Sequence, residues 1–199
     1  MNKFKKGLKV KSVDLKLPTM YNMYNEDGMY VGKINPSYEK IQNKWLKTIT
    51  ILFETEDEKL LMQQRGNTQL TPNQLDFCSG HVENEETYIQ TAYREAKEEL
   101  GLDYNKISNL TQILEPLPIG YKEKGFFIQF FYGKINSKYI KIDHKEVESY
   151  IKEDISLAFQ KLRDRKTRFP YNCNEKGFEN IIQEFHKIRE QIKENQITR

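Results

Sequence analysis

The sequence predicts an α+β fold, and three observations carry that prediction. Paired strand-type runs lie before residue 66, an amphipathic helical stretch covers residues 84–100, and an aromatic strand is followed by two further helical patterns. A chain of 199 residues can bury one substantial core with peripheral elements, so a single domain over residues 1–199 is expected, with an N-terminal strand extension and a C-terminal helix.

Taken in order, residues 10–16 alternate loosely and form the strand extension. Residues 48–53 (TITILF) are β-branched and apolar, residues 54–58 are a polar turn, and residues 60–64 resume the apolar pattern. They read as two strands joined by a hairpin-like turn. Residues 66–76 are polar and contain Pro72, which suits a loop leading into the short segment 77–82. The helix over 84–100 has Asn84 as its expected N-cap, Glu85 and Glu86 at the positive end of its dipole, and Gly101 as its stop. Ile89, Ala92, Ala96 and Leu100 then share one face. Residues 125–133 contain Phe126, Phe127, Phe130, Phe131 and Tyr132, a buried strand more simply than a base-stacking platform. Residues 147–162 and 178–192 read as two helices, the second charged and amphipathic.

Hydrophobic residues are 37% and charged residues 31% of the chain, and 12% aromatics supply enough bulk to fold. The net charge of +3 is a small difference between 32 basic and 29 acidic side chains, which argues against a dedicated nucleic-acid binder. Six lysines among the first sixteen residues read as a solvated basic start, with attraction to phosphate as the alternative. That start lacks the apolar centre of a signal peptide, and no stretch has the length of a membrane span, so a cytoplasmic location is expected. Cys78 and Cys173 are expected to be free thiols.

The chemistry is concentrated between residues 80 and 102. Gly80 is followed after five residues by Glu86, and after seven more by Arg94-Glu95-Ala96-Lys97-Glu98-Glu99-Leu100-Gly101-Leu102. Glu95, Glu98 and Glu99 stand at i, i+3 and i+4, so a helix gathers their carboxylates within one quadrant. Like charges at these spacings oppose helix formation unless a cation neutralises them. Three hard oxygen ligands suit Mg²⁺ or Mn²⁺. Gly80 lets the backbone approach closely, and Arg94 is placed to pair with Glu86 and hold the loop on the helix. A glutamate-rich solvated helix is the alternative for three glutamates alone, though not for the complete pattern.

This pattern resembles the Nudix box. The resemblance implies an α/β/α sandwich around a mixed sheet, and a hydrolase in which water attacks phosphorus in a diphosphate joined to another moiety. By position, Glu95, Glu98 and Glu99 match the metal-binding and catalytic glutamates, with the Gly80 carbonyl a further ligand and Glu86 and Arg94 as structural support. The base is a box glutamate or one outside it, for which Glu146 and Glu148 are candidates. Arg65 and His81 are candidates for contacting substrate, while Tyr121, Phe169 and Tyr171 are aromatic candidates for stacking on a base.

A looser similarity over residues 21–102 points to the branch related to isopentenyl-diphosphate isomerase. It rests on Tyr24-Asn25-Glu26-Asp27-Gly28 with Gly32, Lys44-Trp45, Gln63-Gln64-Arg65 and Phe77-Cys78-Ser79-Gly80-His81-Val82. True isomerases have a catalytic cysteine directly before the Gly-His pair, where this chain has Ser79, and Cys78 stands one residue early. They also use upstream histidine ligands, yet His81, His144 and His186 are the only histidines here. The complete box likewise favours hydrolysis. The expected function is thus a Mg²⁺- or Mn²⁺-dependent diphosphohydrolase acting on a nucleoside diphosphate derivative or related small molecule. An isomerase and a non-catalytic nucleotide-binding module are the alternatives. The helix at 178–192 could pack on its own domain or on a second copy, which leaves a homodimer open.

Overall fold

A strand rich in β-branched and apolar residues, β3 (Trp45–Glu54), is the axis of the fold. The computed structural model describes residues 19–35, 44–67, 72–122, 124–164 and 175–197. The basic start, the strand expected at 10–16, Phe169, Tyr171 and Cys173 lie outside the described residues. The other strands are β1 (Tyr21–Tyr24), β2 (Tyr30–Ile34), β4 (Leu60–Arg65), β5 (Leu75–Asp76), β6 (Cys78–His81), β7 (Ile107–Tyr121), β8 (Lys124–Ile135) and β9 (Val147–Glu153). Three helices, α1 (Tyr88–Leu100), α2 (Ile155–Arg163) and α3 (Glu175–Ile197), complete the described elements.

The α+β expectation holds, and the sheet is mixed. β3 runs parallel to β8 and antiparallel to β1 and β6, while β4 leaves β3 after their hairpin to pair with β5 and β9. Alternation along β3 divides the core between two faces. Ile49, Ile51 and Phe53 pack with Ala92, Ala96 and Leu100 of α1. Leu52 packs on the other face with Phe159 of α2 and Ile181 and Phe185 of α3. Helices therefore cover both sides of the sheet, and each large apolar side chain buried there stabilises the fold by roughly 1.5–3 kcal/mol. The apolar side of α3 is spent on its own domain. Its end is also pinned: Arg189 Nε donates to Glu54 Oε1 at 2.9 Å, and Tyr132 Oη donates to Glu54 Oε2 at 2.6 Å.

Several expectations need correction. Asn84 does not cap α1, because its φ of 48° is left-handed whereas an N-cap is extended. Thr87 does so, in a capping box with Gln90, and this leaves Glu85 and Glu86 outside the helix with no acid in its first turn. Ile89 has the right angular position for the buried face yet is 38% exposed, since Tyr88 and Thr91 seat the first turn instead. The expected helix over 147–162 is half strand. Residues from Val147 to Glu153 complete the hydrogen bonding of β4, and the helix begins only after Asp154. Tertiary pairing overrides helical periodicity there. The sequence reading also passed over β7, whose pattern is broken by a bulge between Ile113 and Leu117 and by Pro116 and Pro118. Among the described residues β7 pairs only with β8, which makes it an edge strand, where proline is tolerated.

Candidate active site

The position of each glutamate follows from its angle on α1. At about 100° per residue, Glu99 falls about 20° from the buried Ala92, Glu95 about 60° and Glu98 about 120°. Burial follows that order: Glu99 is 4% exposed and Glu95 7%, whereas Glu98 lies open to solvent. β6 runs beneath them through its pairing with β3, which sets Gly80 opposite Ile49. A β-carbon on Gly80 would lie 1.7 Å from Glu95 Oε1, so the Glu95 carboxylate occupies the space that the missing side chain leaves.

Glu99 Oε2 accepts from Gln63 Nε2 at 2.9 Å and from the Ser79 backbone N–H at 3.2 Å. Burial raises the pKa of Glu99 above the usual carboxylate range, against the lowering effect of Gln63. Glu95 is pushed up as well, first by burial and then by the charge of Glu99. Two buried carboxylates side by side cannot both ionise at low cost without a cation.

Arg94 is the cation the fold provides. Its guanidinium donates from Nε to Glu86 Oε1 at 2.9 Å and from Nη2 to Glu86 Oε2 at 3.1 Å, a bidentate pair. It also donates to the His81 carbonyl and to Glu95 and Glu98, each at 2.8 Å. Glu86 further accepts from Thr91 Oγ1 at 2.9 Å. Burial works to raise the pKa of Glu86, but the Arg94 and Thr91 hydrogen bonds prevail and hold it below its ordinary value. The expected Arg94–Glu86 contact is therefore present, and it ties the chain ahead of α1 to the helix.

The donor set fits a hard divalent cation in chemistry: three carboxylates on one helix, two of them buried and mutually repelling, beside a backbone that approaches closely. Among the described residues no three acidic, histidine or cysteine side chains are arranged so as to hold a metal ion. Glu95 and Glu98 share Arg94 Nη1, while Glu99 turns inward to Gln63 and Ser79.

The remaining candidates are distributed around this centre. Arg65 does not lie at the surface: it is 5% exposed and its Nη1 meets Asp76 Oδ2 at 3.3 Å. His81 stacks on Tyr21. Glu146 is positioned by its backbone, whose carbonyl accepts from the Gly66 N–H at 2.8 Å. Glu146 is itself exposed, yet desolvation of its carboxyl and then the charge of Glu98 raise its pKa. Glu148 is exposed on β9. Cys78 is 3% exposed, and burial followed by the Glu99 charge keeps its thiol well above its ordinary pKa. Sequence reasoning did not single out Gln63, Asp76, Glu83 and Tyr21 for the site. Gln63 had a signal, since it alternates with Leu61 on the face of β4 that meets α1, where a polar residue needs a partner.

The chain matches the NUDIX domain over residues 44–170, more than half its length. It belongs to the Nudix family. Solved structures share the fold of this Nudix chain. DR0079 from Deinococcus radiodurans aligns with a TM-score of 0.58 at 16% identity, over 74% of this chain and 91% of that one. The C. elegans Ap4A hydrolase in a binary complex aligns at 0.51 and 19% identity, over 73% and 98%. The NUDIX domain of Shewanella oneidensis NrtR, complexed with ADP ribose, aligns at 0.50 and 15%, over 80% and 94%. At such identities the likeness concerns the fold. A search of curated proteins returned no match. Nudix hydrolases generally act on diphosphate bonds with divalent cations, and no described helix of this member is long and apolar enough to cross a membrane.

Proposed function

We propose that this Nudix protein is a Mg²⁺- or Mn²⁺-dependent hydrolase that cleaves a diphosphate linkage in a nucleoside diphosphate derivative or related small molecule. One observation carries the reading: Glu95 rests on the bare α-carbon of Gly80 while Glu98 and Glu99 flank it on the same helix, so three carboxylates gather along the side of α1 next to β6. Glu95, Glu98, Glu99 and the Gly80 carbonyl would hold the cation. When bound, it supplies charge neutralisation at the phosphoryl oxygens and lowers the pKa of an attacking water.

The chain's own residues prepare that chemistry. Arg94, anchored on Glu86 and on the His81 carbonyl, fixes β6 against α1. Gln63 and the Ser79 N–H orient Glu99. Arg65 holds Asp76 beside them and acts on the site through position rather than by reaching a phosphate. Glu146 is suited to accept the proton of the water, since its raised pKa brings it nearer the working pH of a general base. His81 remains the candidate for contacting substrate.

The similarity to isopentenyl-diphosphate isomerases makes their hydrolytic branch the expected home of this chain, and the buried, protonated Cys78 counts against double-bond isomerisation. The reading carries a cytoplasmic location and a single Nudix domain spanning residues 1–199. Phe178, Ile181, Ile182, Phe185 and Ile188 of α3 are buried in the chain's own core, so the apolar side they form is not available to a homodimer.

The test is cleavage of the diphosphate linkage in ADP ribose, Ap4A and isopentenyl diphosphate, read from the separated products, with Mg²⁺ or Mn²⁺, comparing the wild type with Glu98→Gln. Metal-dependent cleavage should fall by about 100-fold or more in the variant. Isomerisation of isopentenyl diphosphate without cleavage would overturn the reading, and ADP ribose binding without turnover would replace it with a sensor.

A further inference from the structure

Tyr21 opens β1, well before the residues matched by the NUDIX domain. Its backbone bridges Glu83, and its ring lies 4.8 Å from that of His81 at an interplanar angle of 13°. The His81 ring meets Phe126 edge-on at 5.9 Å. His81 directly follows Gly80, and its carbonyl is the acceptor for Arg94 Nη2. The Tyr21–His81 stack is therefore joined through the backbone to the place where Glu95 rests on Gly80. Among the described residues the Tyr21 hydroxyl has no hydrogen-bond partner, although its residue is half-buried.

Charges from separate segments act on that phenol. Burial, then Glu83 ahead of α1 and Glu95 on α1, hold its proton more tightly than usual; Arg94 opposes them, and Glu146 from the chain before β9 adds to the effect. A phenol held in this way is a dependable donor that brings no negative charge of its own. A site surrounded by the carboxylates of Glu83, Glu95, Glu98 and Glu146 repels a diphosphate unless neutral or cationic donors also face it. Tyr21 is a neutral donor at that border with its hydroxyl unused by the protein.

We propose that Tyr21 is a substrate-binding residue: its hydroxyl donates to a non-bridging oxygen of the bound diphosphate, and its stack on His81 fixes the direction of that donation. This assignment rests on the hydrolase reading above.

The experiment uses the full chain and compares wild type with Tyr21→Phe, which keeps the stacked ring and removes only the hydroxyl. Two quantities are measured with Mg²⁺: calorimetric affinity for inorganic imidodiphosphate, and kcat and KM on whichever panel compound the wild type cleaves. Tyr21→Phe is expected to weaken imidodiphosphate binding about tenfold and raise KM similarly, with kcat and the melting temperature nearly unchanged, as the loss of a hydrogen bond to an anion requires. A purely structural role would lower the melting temperature or kcat instead, and that result would overturn the assignment. Equal affinity and KM in the two proteins would overturn it while leaving the hydrolase intact. A wild type that binds imidodiphosphate but cleaves nothing would overturn the hydrolase reading, and the affinity ratio would still decide Tyr21. A wild type without affinity for imidodiphosphate would overturn the assignment whether or not it turns over.

Discussion

A methyl group on Gly80 would meet the Glu95 carboxyl carbon at 2.0 Å as well as Oε1 at 1.7 Å, contacts that no real β-carbon makes. Because Glu95 is buried and tied to Arg94, it cannot withdraw freely. Gly80→Ala is therefore expected to displace the carboxylate, at a stability cost of about 1–3 kcal/mol typical of overpacking. The loss of turnover should be much larger than that cost suggests, and kcat/KM beside a denaturant melt would show both. A variant retaining full activity would remove Glu95 from the centre. At this scale much of the candidate site was legible, since Gly80, Glu86, Arg94 and the three glutamates stand at fixed spacing along one stretch of chain. Tyr21, Gln63 and Asp76 were not, because they reach the same place from β1, β4 and β5, and no local spacing relates those strands to α1.

The turn that joins β3 to β4 makes an element-scale prediction. Glu56 accepts from the Ser137 backbone N–H at 2.8 Å and from its hydroxyl at 2.6 Å, and Lys152 Nζ adds a third contact at 3.1 Å. The Ser137 hydroxyl and then its N–H lower the Glu56 pKa to about 2. The folded value lies below the unfolded one, so the fold binds fewer protons than the unfolded chain between them. Its contribution is thus complete above roughly pH 4.3, the unperturbed glutamate value, and is lost as pH falls through about 2. Glu56→Gln should be less stable than wild type at neutral pH, with the difference closing across that window in denaturant titrations at several pH values. A difference independent of pH would mean that Ser137 does not read the Glu56 charge. Elements were legible where local pattern and tertiary need agree, as in β3, α1 and α3. They were misread at residues 147–153, which carry a pattern compatible with a helix but complete the edge of β4.

Across the whole molecule, Glu54 links the sheet to the C-terminal helix. It is fully buried, and its carboxylate is satisfied by Arg189 and Tyr132 from elements distant in the chain. Arg189→Met would leave that charge with a single neutral donor, and breaking such a buried pair costs about 3–5 kcal/mol. Chemical denaturation is expected to show a loss of that order, while kcat stays near wild type because neither residue belongs to the cleft. Glu54→Gln combined with Arg189→Met should recover part of the loss, and an undiminished deficit would assign the effect to the arginine's packing. The sequence by itself determined the family pattern, the α+β class and the carboxylate arc of α1, because helical and strand periods turn spacing into direction. Only the tertiary structure decided that Glu99 turns inward to Gln63, that Arg65 is buried against Asp76, that the Glu146 carbonyl is held by the Gly66 N–H, and that Tyr21 stands beside His81. Those outcomes depend on which strands pair and how far a helix sits over them, and strand pairing joins residues that no local period connects.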